Sequence, residues 1–167
     1  SIVAVDSKGI ISNSRDDLND EKKSLLPYLD ASQSGSLEDA VERADVFVGV
    51  SKPELLTPQM VETMADSPIV FALANPIPEI MPDIARESGV AVIATGRSDF
   101  PNQVNNAIAF PGIFRGALDN GVQRITDDHK IAAAEVIASL VENPTPEEII
   151  PSVFDDRLVA AIAKVIV

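Results

Sequence analysis

Four short apolar runs punctuate the chain, at residues 2–5, 46–50, 69–74 and 90–94. Each contains β-branched residues, is too short for a buried helix and is closed by a polar residue. That pattern reads as buried strands. Between and after them the punctuation is helical. Residues 12–36 are polar and turn-rich, with a short helix predicted near residues 19–29. Ser36-Leu37-Glu38-Asp39 sets an N-cap serine three residues before an acid. Thr57-Pro58 opens a helix with threonine as N-cap and proline at the first helical position. A helix over residues 80–88 ends at Gly89, a suitable C-cap residue. Further helices are predicted at 104–109, 113–120, 128–141 and 155–166. Thr145-Pro146-Glu147-Glu148 also reads as a helix start, a capping box with proline in the first turn. There is no internal repeat.

Strands alternating with helices predict an α/β fold with a parallel sheet and right-handed connections. Open sheets of this kind bind ligands at the carboxyl ends of their strands. Asp6, Ser51, Asn75 and Gly96 each follow a predicted strand, so their loops are expected to converge on one sheet edge.

Composition narrows the picture. The 167 residues are 46% hydrophobic, enough for one domain with a real core and too apolar for global disorder. With no Trp and few aromatics, that core is built from Ile, Val, Leu and Ala, as in sheets covered by helices. The absence of Cys excludes a disulfide scaffold and a thiolate metal site, and fits a cytoplasmic location. A net charge of -13 argues against nucleic acid and anionic membranes as partners. The apolar stretch 158–167, with Lys164 inside it, is too short to span a bilayer. Residues 2–5 lack the length and basic flank of a signal peptide.

The richest chemistry lies in Thr95-Gly96-Arg97-Ser98-Asp99-Phe100-Pro101-Asn102-Gln103-Val104-Asn105-Asn106. This polar, amide-rich run leaves the fourth predicted strand. Asn105 and Asn106 begin a helical segment, where side-chain amides and free N–H groups suit a carboxylate; ordinary N-capping explains them as well. Arg97 is placed to pair with Asp99 or with a carboxylate. Asn75 leaves the third strand and is stiffened by Pro76 and Pro78. Its amide can both donate and accept, as a carboxamide or sugar hydroxyl requires, or can satisfy its own turn. Asp6 stands where dinucleotide-binding folds place an acid for the adenosine ribose, or it simply starts the turn before Gly9. The glycine fingerprint expected roughly 20 residues before such an acid is absent. His129, the only histidine, neighbours Asp127 and Asp128 and reads as a solvated surface residue. Asp16, Asp17, Asp20 and Glu21 read as a solvated loop rather than a metal site.

Four segments together carry a resemblance. They are Val5-Asp6-Ser7-Lys8-Gly9, Phe71-Ala72-Leu73-Ala74-Asn75-Pro76-Ile77-Pro78-Glu79, the 94–106 segment, and Phe110-Pro111-Gly112-Ile113-Phe114-Arg115-Gly116-Ala117-Leu118. In this order they resemble the cofactor-binding domain of malic enzymes of the short prokaryotic type, over residues 1–167. The resemblance implies a Rossmann-like doubly wound parallel sheet with C-terminal helices, truncated at its N-terminus. The first strand and the glycine-rich turn are missing from the pattern, which should leave unpaired strand edges.

The resemblance also implies NAD or NADP as cofactor, and oxidative decarboxylation of L-malate to pyruvate and CO₂ with Mg²⁺ or Mn²⁺. Asp6 would serve the adenosine ribose and Asn75 the nicotinamide ribose. Asn105 and Asn106 would meet the nicotinamide and a malate carboxylate, and Ser51 completes the cofactor-binding set. The family's catalytic Tyr and Lys and its metal-binding acids have no counterpart here. No catalytic residue and no metal ligand is therefore assigned, and Tyr28 matches no catalytic motif. The expected partners are an N-terminal catalytic segment and further copies in a homo-oligomer, and the chain alone is expected to be inactive. Asp6 favours NAD by charge, while Ser7 and Lys8 are suited to a 2′-phosphate. The alternatives are a half-domain of another NAD(P)-dependent dehydrogenase and a noncatalytic nucleotide-binding or oligomerisation module.

Overall fold

The computed structural model describes residues 1–167. The chain opens on an antiparallel hairpin, β1 (Val5–Asp6) against β2 (Gly9–Ile10). The run at 2–5 therefore does not join the main sheet as the sequence predicts. Gly9, at φ +109°, reverses the chain just after Asp6. The backbone groups of the run then find partners nearby. Ala4 accepts from the Ile11 N–H at 2.8 Å, and Ile2 accepts from the Asp30 N–H at 2.7 Å.

The next elements follow their sequence signals. Helix α1 (Asp20–Leu25) is capped by Asn19 and runs into a 3-10 turn at Leu26–Tyr28. Helix α2 (Leu37–Val41) starts with the Ser36–Asp39 capping box. Strand β3 (Val46–Gly49) leads to α3 (Pro58–Thr63), which is capped by Thr57. Strand β4 (Ile69–Ala72), helix α4 (Pro82–Glu87) and strand β5 (Val92–Thr95) complete the unit. The three strands are parallel and lie in the order β3-β4-β5, with Val46 opposite Ile69 and Ile69 opposite Val92.

Strand alternation sorts the two faces of this sheet. Phe47, Val70, Ala72 and Ile93 share a buried core with Val41, Met60, Val61 and Ala85 from α2, α3 and α4. Val46 and Val48 point the other way and are 48% and 60% exposed. Strand β3 pairs with β4 alone, so its outer edge is open, as expected of a sheet without its central first strand.

Helices α5 (Phe110–Asn120), α6 (Asp127–Ser139) and α7 (Arg157–Ala163) build a second core around Ile108, Ala133, Ile137, Leu158, Ile162 and Ile166. Helix α5 starts earlier than predicted because Pro111 is tolerated in its first turn. Gly112 and Gly116 let α7 approach closely. A Cβ on Gly112 would sit 2.5 Å from the Ile162 Cβ, and one on Gly116 2.7 Å from the Ile166 Cβ.

The helix expected at Thr145 does not form. Thr145 and Glu148 instead exchange backbone hydrogen bonds of 3.2 and 3.0 Å in a tight turn. The Asn102 side chain takes the groups a helix would need, donating to the Pro146 carbonyl at 2.8 Å and accepting from the Ile149 N–H at 2.9 Å. Pro151 then disfavours helical backbone at Ile150. No helix is long and apolar enough to cross a membrane.

Candidate functional site

Because β3, β4 and β5 are parallel, their carboxyl ends open onto one edge of the sheet. That edge carries Ser51 after β3, Asn75 after β4 and the 96–106 loop after β5. Asn75 is exposed, and its side chain makes no hydrogen bond within the protein. Arg97 ties its loop to that of Asn75 by donating to the Pro76 carbonyl at 3.2 Å. The rest of its guanidinium pairs with Asp99 at 2.9 and 2.6 Å, and it lies 5.4 Å from the centre of the Phe100 ring. These hydrogen bonds raise the Arg97 pKa and lower that of Asp99. The local ion pair anticipated for Arg97 is therefore formed.

The two neighbouring asparagines differ. Asn105 accepts from the Ala107 N–H at 3.0 Å and donates to the Gly96 carbonyl at 3.3 Å. It thus caps its own turn and closes the loop. Asn106 is exposed, and its side chain has no partner in the protein. The helical segment they open is a single 3-10 turn, Asn106–Ile108. Its Ala107 N–H is already engaged by the Asn105 side chain. Asn75 and Asn106 are the exposed amides left free at this edge, and the half-buried Gln103 side chain is also without a partner. A cleft of about 530 Å³, lined in part by Ser98, Gln103, Glu147 and Phe154, adjoins the 96–106 loop.

Beneath this edge lies a residue that the sequence reading left without a role. Glu79 is fully buried. One carboxyl oxygen accepts from the Ser51 N–H at 2.9 Å, and the other accepts from the Ala74 N–H at 3.0 Å. The Pro78 and Glu79 carbonyls accept from the Glu54 and Leu56 N–H groups at 3.1 and 3.0 Å. Gly49 makes the space, since a Cβ there would lie 2.4 Å from the Glu79 Cδ. The available signal was an acid between Pro78 and Ile80 in an otherwise apolar stretch.

Asp6 belongs to the hairpin and not to a strand of the parallel sheet, so the strand order that places Ser51, Asn75 and the 96–106 loop does not place Asp6. Arg15 donates to both of its carboxylate oxygens, at 2.8 and 3.1 Å. Lys22 donates to Oδ2 and the Lys8 N–H to Oδ1. The Arg15 hydrogen bonds, opposed by burial and reinforced by Lys22 and the Lys8 N–H, hold the Asp6 carboxyl well below the usual aspartate range. Four donors fill the lone-pair sites of a carboxylate. A ribose hydroxyl must displace one of them, and Lys22, with its side chain 37% exposed, is the most easily moved.

Two other charged residues singled out in the sequence, His129 and Asp17, have local partners. His129 accepts from the Thr126 N–H through Nδ1 at 3.1 Å, completing the cap of α6, and its Nε2 lies 2.8 Å from the Val167 carbonyl oxygen. Asp17 pairs with Lys8 at 2.7 Å and with Arg15 at 2.9 Å. No group of three or more His, Cys, Asp or Glu side chains is arranged to hold a metal ion.

Comparison with known proteins decides the family. The family described as malic enzyme, NAD binding domain, matches residues 1–167. The chain belongs to it. It is 52% identical, over 169 aligned residues, to the bifunctional malic/malolactic enzyme of Bacillus subtilis, covering 99% of this chain and 41% of that protein. It is 43% identical to the NADP-dependent malic enzyme of Escherichia coli, covering 99% of this chain and 24% of that one. The crystal structure of the NAD-dependent malic enzyme of Thermotoga maritima matches with a TM-score of 0.92 at 44% identity, over 98% of this chain and 44% of that chain. The parallel sheet and its helices are thus those of a Rossmann-like NAD-binding domain. The chain spans less than half the length of these relatives.

Proposed function

We propose that this chain, acting as one domain over residues 1–167, supplies the nicotinamide-nucleotide and substrate-carboxylate half of an NAD(P)-dependent malic enzyme. The complete enzyme converts L-malate to pyruvate and CO₂ in the cytoplasm, and works as a homo-oligomer. The observation that carries this reading is the pair of exposed, unpartnered amides, Asn75 and Asn106, on the carboxyl edge of a sheet that belongs to an NAD-binding family.

The residues present fit a dinucleotide. Bound NAD or NADP supplies a hydride acceptor for the malate carbinol carbon. Asn75 offers a donor and an acceptor to the nicotinamide ribose. Asn106 offers donors to a malate carboxylate. Asn105 serves the same site by capping the turn that presents Asn106, a narrower role than direct contact. Ser51 contributes its exposed hydroxyl. Asp6 reaches an adenosine ribose only by exchanging one of its present donors.

No three His, Asp or Glu side chains of this chain come together as a Mg²⁺ or Mn²⁺ centre. In this reading the rest of the enzyme supplies metal ligands and the acid–base groups.

Titration of NADH and NADPH onto the full-length polypeptide carrying this chain, followed by nicotinamide fluorescence, tests the reading. Saturable binding that Asn75→Ala weakens is the expected result. Failure of both nucleotides to bind contradicts it.

A further inference from the structure

Glu79 is an unusual residue to find in this core. It is completely buried, no cation faces it, and its two carboxyl oxygens are engaged by backbone N–H groups alone. Burying such a group is disfavoured unless its partners are well placed, and an apolar side chain would fill the same space without that penalty. Stability alone therefore gives a poor account of it.

Its two partners are informative. The Ser51 N–H lies just past β3 and the Ala74 N–H just past β4, immediately before Asn75. One side chain thus joins the exits of two neighbouring strands. The backbone at Pro78 and Glu79 fastens the same two loops twice more, through Glu54 and Leu56. Gly49 leaves the carboxyl room to sit between them.

We propose that Glu79 is a positioning residue for the cofactor. It locks the Ser51 and Asn75 loops into one unit, so that both meet the nucleotide in a fixed relation. This inference rests on the reading of the sheet edge as a nicotinamide-nucleotide site. Glu79 touches no ligand itself and acts through Asn75 and Ser51.

Glu79→Gln keeps the shape of the side chain but turns an amide NH₂ toward one of the two backbone donors, so one hydrogen bond is lost and a donor faces a donor. In the full-length polypeptide this variant should raise the NADH dissociation constant about tenfold, because binding must then order two loops that Glu79 no longer holds together. The KM for malate should change far less. A purely structural role would lower thermal stability and leave cofactor affinity unchanged in the folded protein.

A double-mutant cycle sharpens the test. Because Glu79 acts partly through the Asn75 loop, Glu79→Gln added to Asn75→Ala weakens NADH binding by less than the sum of the two single losses; fully additive losses overturn the proposal. Hydrogen exchange on the unaltered protein gives an arm that needs no variant. The Ser51 and Ala74 amides should open together and slow together when NADH saturates the site. Independent exchange, indifferent to NADH, overturns the proposal. If the unaltered protein does not bind NADH, the nucleotide-site reading falls and takes this inference with it. If it binds and Glu79→Gln binds equally well, only the role of Glu79 falls.

Discussion

Arg15 grips Asp6 at both carboxylate oxygens, Nη1 to Oδ1 at 2.8 Å and Nη2 to Oδ2 at 3.1 Å. The two side chains are only 15% and 13% exposed, and Lys22 adds a second cation. This pair fastens the N-terminal hairpin to the loop before α1. It also decides how Asp6 can act, because a carboxylate already held by two cations repels a phosphate far less than a bare one.

The pair should make the hairpin sensitive to acid. The folded Asp6 pKa lies below its ordinary value of 3.8, chiefly because of the Arg15 hydrogen bonds. Its contribution to stability is therefore present above that value and is lost as pH falls below it. Asp17, lowered by Arg15 and Lys8, acts in the same direction. Denaturant unfolding measured between about pH 5 and about pH 2 should show a steeper loss for the unaltered chain than for Asp6→Asn. Equal slopes would show that the pair adds nothing to the fold.

Cofactor choice should respond to the same residue. Asp6→Asn removes the carboxylate and leaves Arg15 and Lys22 with one fewer anion between them, a setting that suits a 2′-phosphate. The ratio of kcat/KM for NADP to that for NAD should rise by about tenfold in the full-length polypeptide. An unchanged ratio would place Asp6 away from the adenosine ribose.

The exposed amides should separate in kinetics. Asn106→Ala should raise the malate KM by about tenfold while NADH affinity changes little, as expected when a charge-assisted hydrogen bond to substrate is lost. Asn75→Ala should do the reverse, weakening the nucleotide. Asn105→Ala should lower stability by about 1 kcal/mol through the lost cap. If Asn106→Ala shows normal malate dependence, the carboxylate role is wrong.

Asn102 offers a separate structural test. It is buried and has φ +55°, and its side chain bonds to Ile93, Pro146 and Ile149. Asn102→Ala should cost about 3 kcal/mol in urea unfolding, combining the lost buried hydrogen bonds with left-handed strain. Asn102→Gly loses the same hydrogen bonds but not the backbone preference, and should be about 1 kcal/mol less destabilised. Equal losses would assign the whole effect to the side chain.

Local signals were legible where a short-range rule was enough. Ser36 and Thr57 cap their helices through neighbouring residues, and β3, β4 and β5 follow their apolar runs closely. What the sequence did not disclose depends on contacts between distant residues. Thr145 has every mark of a helix start, yet Asn102, 43 positions earlier in the chain, takes the backbone groups of that segment. Residues 2–5 look like a sheet strand because periodicity does not say which neighbour a strand will find. Ser51, Asn75 and Gly96 could be placed on one edge because each follows a parallel strand, whereas Asp6, expected with them, lies on the antiparallel hairpin. That Asn105 is engaged and Asn106 free, or that Glu79 lies beneath them, required the folded geometry.

The most direct test of the account is NAD(P)⁺-dependent formation of pyruvate from L-malate in the presence of Mn²⁺, measured for this chain alone and for the full-length polypeptide that carries it. The account predicts turnover in the full-length polypeptide and none in the isolated chain, to which it assigns nucleotide and carboxylate contacts alone. Turnover by the isolated chain, or none by the full-length polypeptide, would contradict it.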